Sequence, residues 1–145
     1  MARGYPDFFS MPIFPTRGVS QHEFITPIVV PAGTSGLVVD IAGKGSMLGG
    51  YVTIEGSLNF ANMYLNPIID GMPINRIYPL ELFNARCTNS KNGLFFIVRL
   101  DYSASVWAFG ISGDLDFGLW FNTLLVNDTA LDLTVTSRYD WFRVV

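Results

Sequence analysis

The stretch Gly36-Leu-Val-Val-Asp-Ile-Ala-Gly-Lys-Gly-Ser-Met-Leu-Gly-Gly-Tyr-Val-Thr-Ile-Glu55 decides the fold. In its first half Leu37, Val39 and Ile41 point one way, Val38 and Asp40 the other. In its second half Val52 and Ile54 turn inward, with Thr53 and Glu55 outward. Strict alternation with β-branched residues is the pattern of a half-buried strand, because successive side chains leave a strand on opposite faces. The Gly43-Lys44-Gly45-Ser46 segment between the halves is a loop. It differs from a phosphate-binding loop in placing its Lys before the second Gly and in leading to a strand instead of a helix.

Working outward, the same pattern recurs. Met63–Ile69 runs into Asp70-Gly71, a tight-turn dipeptide, and Pro67 marks that strand as an edge or a bulge. Leu94–Asp101 and Val106–Ser112 are apolar strands joined at Tyr102-Ser-Ala-Ser105. Leu115, Phe117, Leu119 and Phe121 alternate with Asp114, Asp116, Gly118 and Trp120, and Leu124–Val126 stops at Asn127-Asp128. In the last strand Leu131, Leu133, Val135 and Tyr139 share a face opposite Asp132, Thr134, Thr136 and Arg138. Only Tyr78–Arg86 reads as a helical turn, with Pro79 suited to a first helical position. The expected fold is all-β, an antiparallel β-sandwich that is jelly-roll-like, with a closed barrel as the alternative. The Gly33-Thr-Ser-Gly36 segment opens a strand and is not a nucleophile elbow.

Residues 1–18, MARGYPDFFSMPIFPTRG, form a separate unit ahead of the sandwich at 19–145. Three prolines forbid a regular helix or a central strand, while Tyr5, Phe8, Phe9, Ile13 and Phe14 are too apolar for a solvated tail. The reading is an extended arm whose apolar residues anchor in a groove, on its own domain or on a neighbouring subunit.

Half of the 145 residues are hydrophobic and 14% are charged, against roughly 25% charged in an ordinary domain. So small a domain has little interior to hide the excess, which points to subunit interfaces. The uncharged stretch Gly56–Ile69 is broken by polar residues and Pro67, short of the ~20 apolar residues of a spanning helix. The N-terminal residues show no apolar export core, so the chain is expected to remain where it is synthesised until assembled. A formal charge of −3 without any basic run argues against nucleic acid.

Parts for chemistry are few. His22 is the single histidine and Cys87 the single cysteine, too little for a triad or a zinc site. No cofactor, no metal and no enzymatic activity are expected. Asp114 and Asp116 share one side of a strand, ~7 Å apart, which is a glycosidase-like or calcium-like spacing but also ordinary alternation. Asn127-Asp128-Thr129 fits a glycosylation sequon and reads more simply as a turn. Trp107 and Trp120, with Asp114 and Asp116, have the composition of a glycan or receptor contact. Tryptophan is equally an interface anchor, and the apolar excess favours that reading.

The aromatic opening Arg3-Gly-Tyr-Pro-Asp-Phe-Phe9 with Pro12-Ile-Phe-Pro15, the Gly49-Gly50 strand entry, the Ile68-Ile-Asp-Gly71 hairpin and the Phe121…Leu-Leu-Val-Asn127 strand resemble the small all-β virion proteins of tailed phages and related viruses, of head-decoration or fibre type. The resemblance implies a virion subunit assembled in the host cytoplasm, a trimer or higher ring, with the arm reaching onto a neighbour. Its partners would be further copies of itself and a major capsid or tail protein. It supplies no catalytic residue to carry over. The alternative is a carbohydrate- or receptor-binding fibre module.

Overall fold

A computed structural model describes residues 20–23, 27–88, 93–113 and 115–144. The arm residues Tyr5, Phe8, Phe9, Ile13 and Phe14, and also Asp114, lie outside the described residues. The elements in chain order are β1 (Ser20–Glu23), β2 (Ile28–Val30), β3 (Thr34–Ala42), β4 (Gly45–Glu55), a 3-10 turn (Phe60–Asn62), β5 (Met63–Ile69), β6 (Met72–Pro73), α1 (Pro79–Asn84), β7 (Phe95–Asp101), β8 (Val106–Ile111), β9 (Leu115–Phe117), β10 (Trp120–Asn127) and β11 (Leu133–Val144).

The strands pair antiparallel in two sheets. The first runs β1-β11-β4-β8-β7, with β2 also on β11 and β9 on β4; the second runs β3-β10-β5-β6. The chain passes from one sheet to the other between β2 and β3, β3 and β4, β4 and β5, β6 and β7, β9 and β10, and β10 and β11. Setting aside β1, β7 and β9, the remaining strands lie in the order first-eighth-third-sixth in one sheet and second-seventh-fourth-fifth in the other. That interleaving of two Greek keys is a jelly roll.

The core lies between the sheets. Val52, Ile54, Trp107 and Phe109 of the first sheet meet Val39, Ile41, Leu65, Phe121 and Leu125 of the second, all essentially without solvent contact. Each such large side chain contributes about 1.5–3 kcal/mol by leaving water. Pro67 sits where a missing N–H does least harm. Its strand pairs β10 on one side, while the short β6 and the Ile77 bridge leave position 67 between them on the other. Asp70 and Gly71 both have positive φ, 55° and 81°, as the tight hairpin predicted there requires.

Three local departures from alternation correct the sequence reading. The β3–β10 register slips between Thr123 and Leu124, so that Val38 is an extra residue and both Val38 and Val39 are buried while Leu37 is exposed. A second slip, between Val135 and Ser137 in β11, reverses the later part of that strand: Asp140 points into the sandwich, and Tyr139 is not on the inward face of Leu133 and Val135. A bulge adds one residue on one side only, which is enough to exchange the two faces beyond it. Third, residues 115–121 are not one strand. Phe117 and Phe121 are buried as expected, but the chain leaves the first sheet after Phe117 and joins the second at Trp120, with Leu119 exposed.

Candidate interaction surface

The first sheet has an aromatic outer face. One cross-strand row runs Phe96 (β7), Gly110 (β8), Tyr51 (β4) and Tyr139 (β11). A Cβ on Gly110 would come within 2.3 Å of the Phe96 ring, so the glycine is what lets Phe96 lie across its neighbour strand. The Tyr51 and Tyr139 rings are parallel within 6°, with centroids 6.0 Å apart. Trp141 packs on Tyr139 at 4.5 Å and stands opposite Gly49. Tyr51 and Trp141 each keep 38% of their surface exposed. An antiparallel sheet with one face in water is normally polar there. Here three aromatic rings, Tyr51 stacked on Tyr139 and Trp141 tilted against it, cluster on that face.

The residues singled out from sequence are not gathered into one site. Trp107 is a core residue: it is 0% exposed and packs edge-on against Phe60 at 5.5 Å. It cannot touch a glycan, and that expectation is corrected. The run Val106–Ile111 is buried on both faces, so alternation alone could not say which way the indole points. Trp120 is 41% exposed but opens β10 in the second sheet. Asp116 lies on β9, paired to the first sheet, where it accepts a 2.6 Å hydrogen bond from Ser46 Oγ. Trp120 and Asp116 therefore do not share a strand face.

Asp70 explains the break between them. Its carboxylate accepts hydrogen bonds from the backbone N–H groups of Gly118 at 2.9 Å, Leu119 at 2.6 Å and Trp120 at 3.2 Å. Those bonds, that from Gly118 foremost, hold the carboxyl below its ordinary pKa. The crossing between sheets is thus built around a charge from the β5–β6 hairpin. Asp101 is lowered similarly, first by the Ser103 hydroxyl, in the turn between β7 and β8.

Asn127 of the sequon is a structural plug. Its side-chain amide donates to the carbonyls of Val30 and Leu131 at 2.9 and 2.8 Å and accepts from the Thr129 N–H and hydroxyl at 3.0 and 2.6 Å. It is completely buried, so the folded chain offers no amide nitrogen for a glycan. Cys87 is half-buried beside the core, as a space filler would be. Among the described residues no three His, Cys, Asp or Glu side chains converge to hold a metal ion, and no helix is long and apolar enough to cross a membrane.

The chain matches no family model, and no curated protein matches it. The surface must speak through its own chemistry.

Sequence reasoning gave Tyr51 neither a face nor a role, although it opens the alternation of Val52 to Glu55. Tyr139 was assigned to the inward face, and Trp141 was not tied to either. The β11 bulge that brings the three rings together has no signal in the residues of β11 alone.

Proposed function

We propose that this chain is a structural subunit of a virus particle, a self-assembling capsid decoration or cement protein that acts as a homo-oligomer, a trimer first, on a major capsid or tail protein. The observation that carries the assembly part is the exposed Tyr51–Tyr139–Trp141 cluster on a sheet face that water would leave polar. Aromatic rings bury large areas at little conformational cost, which makes them the usual anchors of subunit contacts. The low charge of the whole chain, 14%, agrees with a surface meant to be covered. The virion part leans on the sequence resemblance and on the use of jelly rolls in capsid domains, which is analogy of fold. On this reading the chain is not an enzyme, works without a cofactor and resides in the virion.

Light scattering on the full chain tests it. The expected result is one defined oligomer that dissociates in a Tyr51→Ser, Trp141→Ser variant whose circular dichroism is unchanged. A monomeric full chain at tens of micromolar would overturn the reading.

The same rings support a second reading, a carbohydrate- or receptor-binding fibre module, because exposed aromatics stack on sugar rings. Its contact residues would be Tyr51, Tyr139 and Trp141, with Trp120 a separate point on the other sheet. Glycan-array binding that is lost in Trp141→Ser while the oligomer persists would favour it.

A further inference from the structure

A second apolar surface lies at the β7 edge of the first sheet. Between α1 and the outer strand β7 runs a groove of about 470 Å³, lined by Leu82, Phe83, Ile97, Val98 and Leu100 together with Arg86 and Arg99. Phe83 and Val98 are 39% and 54% exposed. Such a volume is in the range of sites that enclose a ligand or a few large side chains. Part of the strand edge is already used, because the Ile97 N–H donates to the Cys87 carbonyl at 2.7 Å. The groove is therefore suited to side-chain capture more than to extension of the sheet.

We propose that this groove receives residues 5–15 of a second copy of the chain, with Phe8, Phe9, Ile13 and Phe14 as its anchors. The inference rests on the assembly reading above and assigns the arm its receptor. Three observations favour this occupant. The segment Tyr5-Pro-Asp-Phe-Phe-Ser-Met-Pro-Ile-Phe-Pro15 is apolar and proline-interrupted, and such segments dock extended in apolar grooves without needing a hydrogen-bond ladder. Its only acid, Asp7, adjoins Phe8, while the groove lining carries Arg86 and Arg99, the latter also 3.7 Å from the Asp101 carboxylate.

The third observation is direction, which selects a second copy over the chain's own arm. Ser20 pairs with Phe142 and Glu23 with Tyr139, so β1 has its Ser20 end toward the Val144–Gly45 end of the first sheet. The groove lies the other way: Ile97 is in the row of Arg138, and Leu100 in the row of Val135. It is also on the opposite edge, four strand spacings or ~19 Å across. An arm returning to its own groove would have to reverse and cross the whole sheet.

The test replaces Phe9 with the photo-crosslinker p-benzoylphenylalanine in the full chain. Light and ¹⁵N-labelled copies are mixed under conditions that exchange subunits, irradiated and mapped by mass spectrometry, with light scattering on the same sample. The proposal expects mixed-isotope cross-links to residues 82–100, lost in Val98→Asp with circular dichroism unchanged. A defined oligomer with cross-links confined to one copy, or falling elsewhere, overturns this inference and leaves the assembly reading standing. A monomer overturns both.

Discussion

Inside the sandwich, Arg138 Nε lies 3.4 Å from Asp140 Oδ1, with the aspartate fully buried and the arginine side chain 15% exposed. The guanidinium also reaches across to the other sheet, where its NH1 donates to the Val38 carbonyl at 3.3 Å. Both ends of that link are made by bulges. The slip before Ser137 precedes the inward pair, and Val38 is the extra residue of β3. Asp140→Ala would leave a cation in the interior without this partner, a loss of about 3–5 kcal/mol. Replacing both, as Arg138→Met with Asp140→Leu, should cost far less, because no charge is then left buried. Urea melts of the wild type, the single variants and the double variant give the comparison.

Asn127 joins β10 to the carbonyls of Val30 and Leu131, with its amide used on both sides. Asn127→Ala removes the bonds to the Val30 and Leu131 carbonyls and the acceptor of the Thr129 N–H, leaving the Thr129 hydroxyl only the Leu131 carbonyl at 2.9 Å, and should destabilise by about 2–4 kcal/mol. Thr129→Val should cost less, since the amide keeps its bonds to Val30 and Leu131. Equal losses in the two variants would contradict the network as described.

Asp70 gives the fold a pH dependence with a definite sign. Its pKa is depressed below 3.8 in the folded chain by the Gly118, Leu119 and Trp120 N–H groups. The stability it contributes is complete above the unfolded value and is lost as pH falls through the folded one. Asp70→Asn should therefore be less stable than wild type near neutrality, and the gap should close as the pH is lowered toward 3. Denaturant midpoints of both proteins at neutral and acid pH measure this. A gap that widens in acid would contradict the assignment.

Gly110 and Phe96 form a testable pair on the aromatic face. A methyl at position 110 would meet the Phe96 ring, so Gly110→Ala should cost about 1–3 kcal/mol by overpacking. In a Phe96→Ala background the same change should be nearly neutral, and a double-mutant cycle of thermal melts reads the coupling.

How much of this was legible in the sequence depends on whether the cause is local. The alternation at Val52 and Ile54, the Asp70-Gly71 hairpin, the Tyr102–Ser105 connection and the short helix at Pro79 all depend on nearby residues, and each lies where it was expected. The two bulges do not. Whether Val38 or Thr136 is the extra residue depends on the opposing strand's hydrogen bonds, more than 80 residues away for β11 on β4. That is why Arg138 and Tyr139 were given the wrong faces. The break after Phe117 likewise needs Asp70, distant in sequence, to hold Gly118 and Leu119. The candidate glycan set failed for the same reason: Trp107, Trp120 and Asp116 share a composition but not a surface.

The pairing of β1 and β2 with β11 also imposes an order in time. The opening strands of the sandwich have their ladder partners in the last one, Val30 with Leu133 and Ser20 with Phe142. Such distant pairing must wait for the intervening chain to organise. Until β11 exists, β1 and β2 lack the ladder they pair with. The placing of β1 and β2 is set only by the arrival of β11. On the proposed assembly reading, β1 and β2 take their places only once β11 has formed.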